Sequence, residues 1–312
     1  MKNQNSPETI TIQDQNFGNH AEHWNLLSSN PASEVPHWLG LALDAPIMPM
    51  GLCDQEQDIA QDFWLIQGPS GQAISINQII AVENQKPRAL KTAFPSFESP
   101  YKYDAKIERI ITCDSATQAV LRLSLNKDTV VYAFDNLFSV NRCHYDKNQT
   151  YQVQFNAWAY ELELVSDDEK IIVDDPASIK HHRALNEILA EHNGIAPENL
   201  QELINDWQPK TPEDHEPVTV DFSKMVAYLY GETLGQEDEA WFQGNIVGKS
   251  NIQFMQQEYT LYDVTLVLED TLPATLIRIA TQNDLYKNFN IGQYIRGNLW
   301  IQTNIYAKTV IK

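Results

Sequence analysis

The chain has 312 residues, 43% of them hydrophobic and 10% aromatic, with 42 Asp/Glu against 22 Lys/Arg for a net charge of −20. That apolar content excludes a disordered chain, and the length fits about two domains. Three cysteines (Cys53, Cys113, Cys143), odd in number and without a Cys-x-x-Cys pair, exclude a disulfide framework and a cysteine zinc site and fit a reducing compartment.

Residues 1–30 are rich in Asn, Gln, Ser and Glu and read as a polar arm. No apolar core of a secretory signal occurs before about Asn25. Nor does any stretch approach the ~18 apolar residues that span a bilayer. The expected location is the cytoplasm. Between residues 31 and 100, Phe63-Trp64-Leu65-Ile66 and Ala73-Ile74-Ser75-Ile76 read as short strands joined by a turn at Gly68-Pro69-Ser70-Gly71. Pro87, Pro95 and Pro100 argue against regular structure until Tyr101.

A β region follows. Val120–Leu125 and Thr129–Phe134 are β-branched and alternating, with Asn126-Lys127-Asp128 as a hairpin connection. Tyr151–Leu162 alternates as well, which puts 151, 153, 155 and 157 on one face. The period then changes. Ile179, Leu185, Ile188 and Leu189 recur at helical spacing up to the stop at Asn193-Gly194. Pro197 opens a second run with Leu200, Leu203, Ile204 and Trp207. These predict a helical hairpin. Residues 209–217 read as a linker, and 222–230 as a further helix. Alternation returns in Trp241–Val247, Tyr259–Leu268, Thr275–Ala280 and Ile295–Gln302, with a short helix expected over 283–289.

Charge is spread unevenly. Residues 166–240 hold 18 Asp/Glu against 5 Lys/Arg, a net of −13, whereas 241–312 hold 5 against 6.

The order strand, strand, strand, short helix, strand in 241–306, with Phe289-Asn-Ile-Gly292-Gln-Tyr-Ile-Arg-Gly-Asn-Leu-Trp300 leading into the last strand, resembles the OB-fold, a five-stranded Greek-key barrel. Residues 103–165 follow the same plan, with 134–145 in the helix position. Tyr151 and Trp158 there correspond to Tyr294 and Trp300. The resemblance implies a mainly β fold with a helical insertion (α+β). Its parts are the arm (1–30), an irregular region with short strands (31–100), a first OB-like barrel (101–165), an acidic helical insertion (166–240) and a second OB-like barrel (241–312). It implies an architecture and not an activity.

No constellation in the sequence points to catalysis, a cofactor or a metal. Glycine is scarce and no phosphate-binding loop is present. Cys143 and His144 are neighbours that a strand would point to opposite faces, so they form no dyad. His181, His182 and His192, with Glu187 and Glu191, lack the two-His, four-apart spacing of a zinc protease helix. The pairs Asp174-Asp175 and Glu269-Asp270 read as solvated acids, the first at a helix entry.

The OB resemblance implies single-stranded nucleic acid as one ligand, which needs stacking aromatics and a cationic groove. Tyr259, Tyr262, Tyr286, Tyr294 and Trp300 supply rings, but Lys249, Arg278, Lys287, Arg296, Lys308 and Lys312 are the only cations after residue 240. The acidic block opposes attraction to phosphate. The favoured expectation is a non-enzymatic immunity or inhibitor protein that neutralises a basic partner such as a toxin. The carboxylates expected to meet that partner are Asp167, Asp168, Glu169, Asp174, Asp175, Glu213, Asp214, Glu216, Glu237, Asp238 and Glu239. The alternatives are an OB-type nucleic-acid binder and a scaffolding component of a larger assembly.

Overall fold

Alternating apolar residues and local turn chemistry set most of the strands seen in the computed structural model, which describes residues 12–14, 20–45, 47–50, 62–112, 117–230, 236–269, 272–282 and 286–306. In chain order the elements are β1 (Ile12–Asp14), a 3-10 helix (His20–Leu26), α1 (Pro31–Ala42), β2 (Ile47–Met50), β3 (Asp62–Gly68), β4 (Ile74–Glu83) and β5 (Lys86–Phe97). Next come β6 (Lys102–Thr112), β7 (Ala119–Ser124), β8 (Val130–Asp135), α2 (Phe138–Asn141) and β9 (Thr150–Leu164). The segment β10 (Lys170–Val173), α3 (Pro176–Glu191), α4 (Leu200–Asp206) and β11 (Val218–Asp221) precedes β12 (Ala227–Tyr230), β13 (Glu239–Phe254), β14 (Gln257–Val267), β15 (Thr275–Gln282) and β16 (Tyr294–Tyr306). The chain forms two compact units, residues 165–225 and the remainder. No helix among the described residues is long and apolar enough to cross a membrane.

In the larger unit ten strands form one mixed sheet, ordered β1-β6-β7-β8-β16-β9-β15-β14-β13-β12, with β6–β9 and β13–β16 paired in addition. Those two extra pairings close two five-strand circuits, β6-β7-β8-β16-β9 and β13-β14-β15-β9-β16, which share the antiparallel pair β9/β16. Each circuit has three consecutive antiparallel strands. In each, the third strand then runs parallel to the last strand of the other half, β8 beside β16 and β15 beside β9. The pairing pattern is two-fold symmetric about the place where Trp158 faces Trp300.

The structure therefore corrects the expectation of two separate barrels. The last strands are long, 15 and 13 residues, so each can pair within its own half and still reach the other.

Three further expectations are corrected. The strands expected at 63–66 and 73–76 form, as β3 and β4. The stretch around Pro87 and Pro95 is regular too, because β2-β3-β4-β5 form a four-stranded antiparallel sheet in which β5 is an edge. An edge strand tolerates Pro87 and Pro95, since one row of its N–H groups has no ladder partner to lose. Residues 222–230 are not a helix. The Asp221 carboxylate takes the Ser223 N–H at 2.9 Å and turns the chain, and Ala227–Tyr230 then pair with β13. Of the helix expected at 283–289, residues 283–285 lie outside the described residues and 286–288 form a turn. Residues 1–11, Cys53, Cys113, the Cys143 side chain, Lys308 and Lys312 also lie outside them.

Two apolar cores flank the shared strands. Tyr151, Val153, Phe155 and Ala157 of β9 point into the first with Ile295, Leu299 and Ile301 of β16, as the alternation predicted. Trp158 and Trp300 point the other way, into a core completed by Trp38, Phe63, Ile76, Phe94 and Phe97. Each fully buried ring of this kind contributes about 2–3 kcal/mol of transfer free energy. Burying an edge strand strands its carbonyls, and side chains from the large sheet satisfy them. Gln302 Nε2 donates to Pro95 O at 2.8 Å and Asn156 Nδ2 to Phe97 O at 2.7 Å. Residues 20–30, expected in a polar arm, are docked, with His23 and Leu27 buried.

In the smaller unit the helical hairpin forms as predicted. Asp175 caps α3 by accepting the Ser178 N–H at 2.8 Å. Asn193 (φ 54°) and Gly194 (φ 81°) end it in left-handed backbone, the conformation glycine adopts without cost. Ala184, Ile188, Ile204 and Trp207 form its core, and Trp207 Nε1 donates to Glu187 Oε2 at 2.7 Å.

Candidate functional site

The smaller unit concentrates charge. Residues 165–225 carry 14 Asp/Glu against 5 Lys/Arg, a net of −9 in 61 residues. Its predicted carboxylates fall into two groups. Asp175 and Asp214 work for the fold. Asp175 holds the start of α3, and Asp214 accepts the backbone N–H groups of Lys210 and Thr211, each at 2.8 Å. Those hydrogen bonds, which favour the charged form, hold both carboxyls below the usual range. Asp167, Asp168, Asp174, Glu213 and Glu216 are instead exposed, and Glu169 is half-buried. Along β10, between Asp168 and Asp174, Ile171 is 55% and Ile172 67% exposed. The unit thus presents apolar side chains bracketed by carboxylates.

The cluster Glu237-Asp238-Glu239 is not the exposed loop that the sequence suggests. Asp238 is fully buried, and its carboxylate accepts the Trp300 indole N–H at 2.8 Å while its carbonyl accepts the Ile301 N–H at 2.9 Å. Glu239 accepts the Tyr160 hydroxyl at 2.6 Å, and His23 Nε2 lies 3.5 Å from the same carboxylate oxygen. His23 stacks on Trp300 at 4.1 Å between ring centroids. A register shift sets this up: Asn298 pairs with Glu161 and Leu299 with Ala159, so Tyr160 is the extra residue of a bulge. Bulges re-aim side chains, and this one brings Tyr160 to Glu239. A cavity of about 280 Å³ opens there, lined by Tyr160, Glu239, Ala240, Asn298 and Leu299. Sequence reasoning missed this group because its members come from four distant segments, around residues 23, 160, 239 and 300.

A second buried acid, Asp135, sits at the end of β8. Its carboxylate accepts the Leu137 N–H at 2.9 Å and the Tyr145 hydroxyl. Burial pushes the carboxyl up to about 7, against the pull of those two hydrogen bonds. A raised carboxyl pKa favours the protonated folded state. Its stabilising contribution is therefore complete below about pH 4 and is lost as the pH rises through about 7. Relative to wild type, Asp135→Asn should gain about 2 kcal/mol between about pH 5.5 and about pH 8.5. Urea denaturation across that range checks it, and a pH-independent difference would show that Asp135 does not titrate with folding.

Among the described residues, no group of three or more His, Cys, Asp or Glu side chains could hold a metal ion.

Comparison with known proteins adds no relative. No protein-family model matches the chain, and neither a curated protein nor a solved structure gives a significant match.

Proposed function

We propose that this chain is a non-enzymatic binding protein that captures and neutralises a basic partner protein, in the manner of an immunity or inhibitor protein, through the acidic unit 165–225. The observation that carries the reading is the surface of that unit, where Asp167, Asp168 and Asp174 flank the exposed Ile171 and Ile172. An apolar centre rimmed by charge is the composition of a protein-recognition patch, and carboxylates accelerate capture of a cationic partner by steering. Glu213 and Glu216 extend the acidic surface of the unit. A reducing, cytoplasm-like compartment is part of this proposal.

In the same reading the two circuits are OB-like barrels that share β9 and β16. The strand order within each circuit and its parallel closing pair support it. The rival, a single-stranded nucleic-acid binder, loses support at its rings. Tyr259, Tyr262 and Trp300 are fully buried, so none of them can serve as a stacking platform.

The test uses the full chain as bait in extract from its source cells, with and without nuclease, followed by kinetics on the captured protein. The expected partner is basic, and its on-rate should fall steeply with salt while its off-rate changes little. Reversing Asp167, Asp168 and Glu169 to Lys should slow association about tenfold with no change in melting. An unchanged on-rate in that variant would remove the acidic unit from the interface. Capture that disappears on nuclease treatment would favour the nucleic-acid rival.

A further inference from the structure

We propose that the cleft between the four-stranded sheet and strands β13–β16 is a binding site for a neutral sugar. Its volume is about 490 Å³, inside the ~300–1,000 Å³ range of small-molecule sites. One wall carries Gln67, Gln72, Ser75, Ser96 and Glu98, and the other brings Arg278, Asn304 and Tyr306. Phe97, Leu137, Ile252 and Leu261 supply apolar surface between them.

The polar side chains are held from behind in a way that leaves specific capacity over. Gln67 Nε2 donates to Asn77 Oδ1 at 2.8 Å, and Asn77 Nδ2 donates to Ser96 Oγ at 2.8 Å. This relay uses up the hydrogen-bonding groups of the buried Asn77 on that side. It leaves the Gln67 carbonyl as an acceptor and the Ser96 hydroxyl proton as a donor. Across the cleft, Asn304 Oδ1 accepts from Asn136 Nδ2 at 3.1 Å, which leaves the Asn304 amide protons to donate. Ser96 and Asn304 are both more than nine-tenths buried, so their positions are set by packing rather than by solvent.

Charge narrows the ligand class. Arg278 is held by both oxygens of Asp263, at 2.7 and 2.9 Å, so its charge is matched before any ligand arrives. Glu98 is the acidic side chain on the walls. The matched Arg278 offers an anion no free charge, and the single exposed carboxyl of Glu98 gives a cation little hold. The remaining polar groups are neutral amides and hydroxyls offering donors and acceptors together. A sugar matches them, because each of its hydroxyls both donates and accepts. Its C–H face can also pack on the ring of Tyr306, which is partly exposed at the cleft. A flat base, with fixed donor and acceptor edges, matches this mixed lining less well. All of these residues lie in the larger unit, so the site stands independently of the acidic surface.

The test is a titration of the full chain, followed by saturation-transfer NMR and thermal shift. The probes are neutral mono- and disaccharides led by glucose, galactose, N-acetylglucosamine and maltose. Inorganic phosphate, putrescine and adenosine serve as class controls. The expected result is saturable binding of at least one sugar. That binding should weaken about five- to tenfold in Gln72→Ala, which removes a solvent-facing amide, and in Ser75→Val, which removes one hydroxyl, both with unchanged melting. Using both variants guards against one of them perturbing the fold. Absence of sugar binding overturns the proposal. So does sugar binding indifferent to both substitutions, or saturable binding of a control in place of the sugars.

Discussion

Replacing Gly297 by alanine should destabilise the protein by about 3 kcal/mol or more, at the upper end of what overpacking costs. Gly297 lies on β16 opposite Leu162 of β9, next to the bulge. A Cβ built there would sit 2.0 Å from the Glu161 carbonyl oxygen and 3.1 Å from Leu162 Cα. Both obstacles are backbone on the central strand pair, so no side-chain rotation relieves the clash. Gly244 is the counterpart in β13, where a Cβ would meet the Thr265 carbonyl at 1.9 Å. Gly40, in the last turns of α1 with nothing within 4 Å of a Cβ, is the control. Gly40→Ala should stabilise by about 0.5–1 kcal/mol through helix propensity. Guanidinium denaturation of the three variants reads the contrast directly. If Gly297→Ala matched Gly40→Ala, the close approach of β9 and β16 would be wrong.

Trp300→Ala should cost about 3–5 kcal/mol, the range for truncating a buried aromatic side chain. The ring is fully buried, packs at a tilt against Phe134 and stacks against His23. Its loss also withdraws an indole N–H from the buried Asp238 carboxylate, which adds a desolvation penalty of about 1–3 kcal/mol. Trp300→Phe separates the two effects, since it keeps most of the packing and loses the donor. The 3-10 turn carrying His23 should loosen in Trp300→Ala, seen as faster amide exchange over residues 20–26. A loss below about 1 kcal/mol would mean that the ring does little for the core.

Local signals in the sequence carried the local parts of this structure. The alternation of Tyr151, Val153, Phe155 and Ala157 predicted a strand with one face in a core, and that is how β9 lies. Asn193-Gly194 marked the end of α3, and Asn126-Lys127-Asp128 the hairpin between β7 and β8. What the chain did not reveal is which strand finds which. A period of two says that a residue points in or out, but not whether the next ladder belongs to the same half or the other one. The crossing of β9 and β16 is therefore invisible locally, and so is the tolerance of β5 for Pro87 and Pro95, which depends on that strand being an edge. The candidate sites fared alike. Charge counting located the acidic unit, but it could not tell Asp175 and Asp214, spent on capping, from Asp167 and Asp174, which face solvent. It also took Asp238 for a surface acid when Trp300 holds it from 62 residues away. The Gln67–Asn77–Ser96 relay gave no signal, because single Asn, Gln and Ser residues on strands are unremarkable until a sheet aligns them.

The shared pair β9/β16 also bears on synthesis. Strands β6 to β9 are made first, yet their circuit lacks a member until Tyr294–Tyr306 has left the ribosome. At ~5–20 residues per second, that delay is on the order of ten seconds. During it, the edges of β8 and β9 that will hold β16 carry no partner, and open edges of this kind attract other chains. The first half is thus a nascent species in need of protection. Expression of this protein should therefore respond to chaperone supply and to the translation rate across residues 165–293 more than its final stability would suggest.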